Sequence, residues 1–210
     1  MKELAFYHPD CKPFGLTGGM GTGKSTVAAA LSLALGCLYI DADQVARQVV
    51  EPGEPGWRGL QTMLGSNYFQ QDGQLDRRRV RSALFEDKEL RCQVNDLLHP
   101  MIHGIVVDRC DAAKASGNRA LVEVPLLYEA GWQDFFSPVI VIYASRDTCL
   151  KRLIERDTIQ PDQALQAWKA QMPVSEKALK ADHVINNDGS WYDTLLQIMH
   201  MSRLLLPKKT

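Results

Sequence analysis

Residues 18–25 read GGMGTGKS and lie between an apolar run at residues 13–17, PFGLT, and a helix-forming run at residues 25–35, STVAAALSLAL. They match the pattern G-x-x-x-x-G-K-S/T, in which glycines let successive backbone N–H groups turn inward around a phosphate. Lys24 would then bring a positive charge to the phosphates, and the Ser25 hydroxyl could bind Mg²⁺. Because the motif stands between a predicted strand and a predicted helix, we expect nucleoside triphosphate binding here.

The rest of the chain alternates short apolar runs with longer amphipathic runs, which is typical of an α/β protein with a mostly parallel sheet. Four further strands are predicted at residues 37–40, 120–124, 139–143 and 183–185. The second strand is expected to be buried, and Gly36 is expected to end the helix before it. A last helix is predicted to begin at Ser190, whose hydroxyl can cap it.

Two long stretches without a strand pattern interrupt this order. Residues 44–116 look helical, with a long amphipathic stretch at residues 87–115, and are predicted to form an inserted helical subdomain. Residues 146–179 are predicted to form a smaller helical lid, whose charge and polarity suit a mobile cover. The core of this single domain would then comprise residues 13–43, 117–145 and 180–206.

The composition is that of an ordinary globular chain. Its 210 residues carry 24 Lys and Arg against 25 Asp and Glu, which gives a formal net charge of −1. This balance argues against a nucleic-acid binder, and the chain lacks an apolar run suited to a membrane helix or a secretory signal. We therefore expect a cytoplasmic protein without nucleic-acid or membrane partners. The five cysteines include no C-x-x-C pair, so we expect them to be buried and reduced.

Two carboxylates at the end of the second strand are candidates for the chemistry. Asp41 and Asp43 stand two residues apart, so both side chains would leave one face of an extended strand. In a parallel α/β sheet, ligands bind at the carboxyl ends of the strands. One carboxylate could accept the proton of an attacking hydroxyl while the other caps the next helix, with Asp43 favoured as the base.

Positive charge is concentrated in two places. Lys151, Arg152 and Arg156 lie in the predicted lid, and the two arginines are four residues apart, hence on one helical face. Guanidinium groups there could stabilise a transferring phosphoryl group while the lid excludes water. The second cluster, RRRVR at residues 77–81, could meet an anionic acceptor or could be a solvent-exposed helix face.

Several motifs together resemble the dephospho-CoA kinase family. Beside the phosphate-binding loop they are IDAD at residues 40–43, LHP at residues 98–100, VPLL at residues 124–127 with Glu129, QMP at residues 171–173 and ADHVINN at residues 181–187. The resemblance implies a three-layer P-loop NTPase fold with a five-stranded parallel sheet, a helical insertion that binds the acceptor, and a small helical lid. It also implies transfer of the γ-phosphoryl group of ATP, with Mg²⁺, to the ribose 3′-hydroxyl of dephospho-CoA, the last step of coenzyme A synthesis.

The resemblance further implies roles for individual residues. Asp43 would be the catalytic base, Lys24 would neutralise charge, Ser25 would bind Mg²⁺, and Arg152 and Arg156 would act from the lid. The nucleotide would contact Gly18, Gly19, Gly21, Thr22, Gly23, Lys24, Ser25, Thr26 and Asn187. The acceptor would lie near Asp43, Arg47, Arg78, Arg81 and His99.

Two other functions remain open at the level of sequence. One is a different small-molecule kinase with the same core, such as a nucleoside monophosphate kinase. The other is a regulatory protein that binds a nucleotide without transferring phosphate. For either kinase we expect small-molecule partners and a monomer or weak homo-oligomer.

Overall fold

The computed structural model describes residues 11–206. Within them, one parallel sheet has five strands in the order β2-β3-β1-β4-β5. The strands are β1 (Phe14–Gly18), β2 (Leu38–Asp41), β3 (Ala120–Glu123), β4 (Val139–Tyr143) and β5 (His183–Asn186). The predicted five-stranded parallel α/β sheet is confirmed, and each predicted strand overlaps an observed one.

The central strands are almost entirely apolar because they are buried on both faces. Every residue of β1 and β3 is buried. A main core cluster joins residues of the sheet to two helices, α1 (Lys24–Leu35) and the last helix of the chain, Trp191–Leu205. This packing fixes the end of β1 and the start of α1, between which the phosphate-binding loop runs.

The second strand differs from the prediction that it is buried. β2 lies at the edge of the sheet, and Leu38 is 45% exposed. A short apolar run is compatible with an edge strand as well as with a central one, so the residues alone do not separate the two. Gly36 does end α1 as predicted, in a left-handed conformation with φ of 66°.

The described chain divides into two compact units. One is Ala42–Arg109, and the other combines the residues before and after it. The helices α2 (Ala42–Val49), α3 (Pro55–Leu64) and α4 (Arg77–Glu86) and most of α5 (Lys88–Ala115) form the first unit. The assignment of separate core, acceptor-binding and lid parts stays a prediction.

Three helices follow β4. They are α6 (Arg146–Asp157), α7 (Pro161–Lys169) and α8 (Val174–Lys180), and β5 and α9 (Trp191–Leu205) complete the chain order. The sequence does not predict α8. Ser190 caps α9, as predicted, by accepting the Asp193 N–H at 3.2 Å.

The five cysteines differ in their exposure. Cys110 and Cys149 are buried, but Cys92 is exposed on α5, so the expectation that all five cysteines are buried is wrong. The long amphipathic stretch leaves one face of α5 in solvent, and Cys92 falls on that face.

None of the helices within residues 11–206 combines the length and the apolar character needed to cross a membrane.

Candidate active site

The phosphate-binding loop occupies the turn between β1 and α1. Gly21 and Gly23 have φ of 76° and 82°, in the left-handed region that glycine adopts without strain. A Cβ on Gly21 would collide with the Cys149 carbonyl oxygen, and a Cβ on Gly23 would collide with the Asn187 side-chain amide. The loop therefore needs glycine at both positions.

Side chains of the loop support its own backbone. The Lys24 Nζ and the Thr22 hydroxyl each donate to the Gly19 carbonyl oxygen at 2.9 Å. Thr22 is fully buried, and its backbone N–H also donates to the Gly19 carbonyl oxygen, at 3.4 Å. Gly18 is packed so closely that a Cβ would lie 2.5 Å from the Ile142 carbonyl oxygen. By contrast, Ser25 and Thr26 are exposed at the start of α1.

Asn187 connects the loop to α9. Its side-chain nitrogen donates to the Thr22 carbonyl oxygen at 2.8 Å, and its side-chain oxygen accepts the Thr194 hydroxyl at 2.9 Å. Asn187 is buried. Both ends of the amide are thus used inside the protein, which stiffens the loop from a position that follows β5.

The two arginines of α6 differ in their contacts. Arg152 Nη2 donates to the Asn187 carbonyl oxygen at 2.9 Å, and its Nη1 lies 3.4 Å from the Gly21 carbonyl oxygen. Arg156 instead forms a two-point ion pair with its neighbour Asp157, with both hydrogen bonds at 2.8 Å, and is 67% exposed. The structure therefore brings Arg152, but not Arg156, into contact with the loop and its support.

A buried carboxylate lies next to Ser25. Glu123, at the end of β3, is 3% exposed. Its Oε1 accepts the Ser25 hydroxyl at 3.0 Å, and its Oε2 accepts the Tyr39 hydroxyl at 2.6 Å. Neighbouring parallel strands bring Tyr39 and Glu123 together, because β2 and β3 are paired in register along this edge of the sheet.

The protonation of this cluster reflects its burial. Burial raises the pKa of Glu123, while the hydrogen bonds from Tyr39 and Ser25 and the charge of Lys24 act in the opposite direction. Burial and the adjacent Glu123 carboxylate also raise the pKa of Tyr39. Tyr39 therefore keeps its proton at neutral pH and acts as a hydrogen-bond donor.

Asp41 and Asp43 lie in different elements, which corrects one expectation. β2 ends at Asp41 and α2 begins at Ala42. The chain is thus not extended between the two acids, and their side chains do not leave one face of a strand. Asp43 is an exposed residue in the first turn of α2, where the helix dipole favours a carboxylate.

The predicted acceptor-binding residues all belong to the unit Ala42–Arg109. Arg47 lies in the last turn of α2, and its carbonyl oxygen accepts Arg77 Nη2 at 3.5 Å. Arg78 and Arg81 are exposed on α4, three residues apart and hence on one side of that helix. His99 is half-buried in α5.

The sequence analysis does not single out two polar residues that support the site. The Tyr39 hydroxyl donates to Glu123, and Lys177 is fully buried. Their partners are distant along the chain, so no local pattern identifies them. Lysine in an amphipathic helix is usually exposed, and a buried one has no sequence signal of its own.

Comparison with known proteins covers nearly all of the chain. The sequence model of the dephospho-CoA kinase family matches residues 13–193. A dephospho-CoA kinase of Shouchella clausii is 38% identical over 185 residues, which cover 88% of this chain and 93% of that protein.

Solved structures agree with this match. TT1252 from Thermus thermophilus superposes with a TM-score of 0.78 at 27% identity, over 94% of this chain and 99% of that one. A dephospho-CoA kinase from Campylobacter jejuni superposes with a TM-score of 0.68 at 25% identity, over 92% and 96%. The similarity extends over the phosphate-binding loop, the five-stranded sheet and the two stretches without a predicted strand, residues 44–116 and 146–179. The chain therefore belongs to the dephospho-CoA kinase family.

Proposed function

We propose that this chain transfers the γ-phosphoryl group of ATP to the ribose 3′-hydroxyl of dephospho-CoA and so forms coenzyme A and ADP. Membership of the dephospho-CoA kinase family supports the reaction class. The observation that carries the proposal is the phosphate-binding loop, with its two left-handed glycines and with Lys24 against Gly19. A loop of this conformation directs backbone N–H groups toward an anion.

The loop and the start of α1 bind the triphosphate. Lys24 exchanges the Gly19 carbonyl for phosphate oxygens and neutralises the negative charge that develops there. Asn187 and Arg152 hold the carbonyl side of the loop. Because these contacts exist before the nucleotide binds, the backbone N–H donors of the loop need little reorganisation during the reaction.

The oxygen ligands beside the loop fit a magnesium ion. The Ser25 hydroxyl oxygen and Glu123 Oε1 are 3.0 Å apart, and Mg²⁺ prefers such ligands together with phosphate oxygens and water. Ser25 would bind the ion, and Glu123 would hold the Ser25 hydroxyl or a water on the ion. When bound, Mg²⁺ supplies positive charge to the phosphates.

The acceptor is activated and bound by residues of the unit Ala42–Arg109. Asp43, exposed at the start of α2, accepts the proton of the 3′-hydroxyl as its oxygen attacks the γ-phosphorus. Arg78 and Arg81 bind the anionic groups of dephospho-CoA, since guanidinium pairs well with phosphate. Arg47 and His99 complete this binding surface.

Of the two lid arginines, Arg152 supports the loop and Arg156 acts on the transferring group. Arg152 remains bound to the backbone that supports the loop. Arg156 exchanges Asp157 for a phosphate oxygen, because both partners accept the same two-point hydrogen bond. A lid closed in this way also excludes water, which would otherwise hydrolyse ATP.

An acceptor assay tests the proposal directly. Purified protein with Mg²⁺, ATP and dephospho-CoA should release ADP and form coenzyme A in equal amounts. Lys24→Met is the negative control, and AMP is the alternative acceptor for a nucleoside monophosphate kinase. ADP release that does not depend on dephospho-CoA, or phosphoryl transfer to AMP in its place, contradicts the proposal.

A further inference from the structure

Gln171 contacts the phosphate-binding loop from outside it. The residue lies in the short segment between α7 and α8, and its Oε1 accepts the Met20 backbone N–H at 3.0 Å. A backbone N–H can only donate, so the oxygen of the Gln171 amide must face Met20. Met20 is the third residue of GGMGTGKS, and the contact therefore holds the middle of the loop.

An ion pair between the buried Lys177 and the partly exposed Glu129 holds the segment that carries Gln171. The Glu129 carboxylate accepts the backbone N–H of Met172 at 3.1 Å, and its oxygens lie 2.9 and 3.0 Å from the Lys177 Nζ. Lys177 is fully buried and also donates to the Pro125 carbonyl oxygen at 2.7 Å. A buried ammonium needs such partners, so Lys177 fixes Glu129, and Glu129 fixes the backbone next to Gln171.

Two more contacts connect this anchor to the loop. The Pro125 carbonyl oxygen, which accepts Lys177, also accepts the Thr17 hydroxyl at 3.2 Å. Thr17 directly precedes the first glycine of the loop. Val174, the buried first residue of α8, packs next to Gly19. The Val174 Cβ is 3.6 Å from the position that a Cβ on Gly19 would occupy. All of these residues belong to one compact unit.

We propose that Gln171 is a positioning residue of the phosphate-binding loop, held against Met20 by Glu129 and Lys177. The inference rests on the proposed function in one respect, namely that this loop binds the phosphates of ATP. The Met20 N–H belongs to the same peptide unit as the Gly19 carbonyl oxygen, which accepts Lys24 and Thr22. Without Gln171 this peptide unit loses the acceptor of its N–H, and once Lys24 turns to phosphate its orientation is less restricted. ATP binding must then order the loop, whereas acceptor binding is unaffected.

Replacing Gln171 should change KM for ATP without changing KM for dephospho-CoA. Gln171→Ala should raise KM for ATP roughly five- to tenfold, the effect of one lost hydrogen bond, while KM for dephospho-CoA and the unfolding temperature stay at wild-type values. Gln166→Ala is the matched control, because Gln166 is an exposed glutamine of α7. An unchanged KM for ATP in Gln171→Ala overturns the proposal.

Hydrogen exchange of the Met20 amide tests the same contact in nucleotide-free protein, without relying on activity. Exchange should be faster in Gln171→Ala. In Gln171→Glu it should stay slow, because an acceptor oxygen is retained, although the added negative charge raises KM for ATP. Wild-type exchange rates in Gln171→Ala overturn the proposal, whereas failure of the wild-type protein to form coenzyme A overturns the proposed function alone.

The anchor has its own test. Glu129→Gln leaves the buried Lys177 without a counter-charge, so the unfolding temperature should fall and the Met20 amide should exchange faster. If Gln171 and Glu129 act through one chain of contacts, the double variant should raise KM for ATP no further than Gln171→Ala does. Additive increases in KM would show that Glu129 does not act through Gln171.

Discussion

The Ser25 hydroxyl donates its hydrogen to Glu123, which determines what the hydroxyl can offer to a metal ion. Glu123 accepts hydrogen bonds from both Ser25 and Tyr39, one on each oxygen, and both bonds favour its carboxylate form. A hydroxyl has one hydrogen and two lone pairs. With the hydrogen directed at Glu123, the lone pairs of Ser25 face away from it, as the proposed role of Ser25 in binding Mg²⁺ requires.

Asp43 is the residue whose replacement should affect the chemical step most. Asp43→Asn keeps the size of the side chain but cannot accept the acceptor proton, so kcat should fall by about 10²- to 10⁴-fold. ATP affinity, measured by calorimetry, should stay unchanged, because the proposed function assigns Asp43 to the acceptor and not to the nucleotide. Asp96→Asn, at an exposed position of α5, is the matched control. A kcat near the wild-type value would remove Asp43 from the reaction.

At the scale of elements, local chemistry predicts much of the fold. The glycine-rich turn identifies β1 and α1, and Gly36 identifies the end of α1. The edge position of β2 could not be predicted, because it depends on strand order and not on residue type. Nor could the contact of Asn187 with Thr22, since the two residues are 165 positions apart in the sequence.

The start of α9 matters for the loop because Thr194, in its first turns, holds Asn187. Ser190 caps this helix by accepting the Asp193 N–H, and it also donates to the Asp193 carboxylate at 2.6 Å. Ser190→Ala should therefore lower the free energy of unfolding by about 1 kcal/mol. Urea denaturation measures this change, and Ser190→Thr, which retains a hydroxyl, should restore most of it. Equal stability of Ser190→Ala and wild type would contradict a capping role.

At the scale of the whole molecule, a net charge of −1 is compatible with two anionic substrates because the charges are distributed unevenly. Lys24 and Arg152 belong to the unit with the sheet, while Arg47, Arg78 and Arg81 belong to Ala42–Arg109. The proposed function assigns the nucleotide to the first group and the acceptor to the second. KM for each substrate should then change only when basic residues of the corresponding unit are replaced.

Arg78 and Arg81 provide the test of this division. The double variant Arg78→Gln and Arg81→Gln removes two exposed charges from α4, so it should leave the unfolding temperature unchanged. KM for dephospho-CoA should rise roughly tenfold or more, since charge-assisted hydrogen bonds to phosphate are among the stronger polar contacts, while KM for ATP stays constant. The double variant Arg58→Gln and Arg91→Gln removes two exposed arginines of the same unit, from α3 and α5, and controls for the change in net charge. If this control has the same effect, or if KM for ATP rises equally, the arginines act through overall charge and the acceptor does not bind at α4.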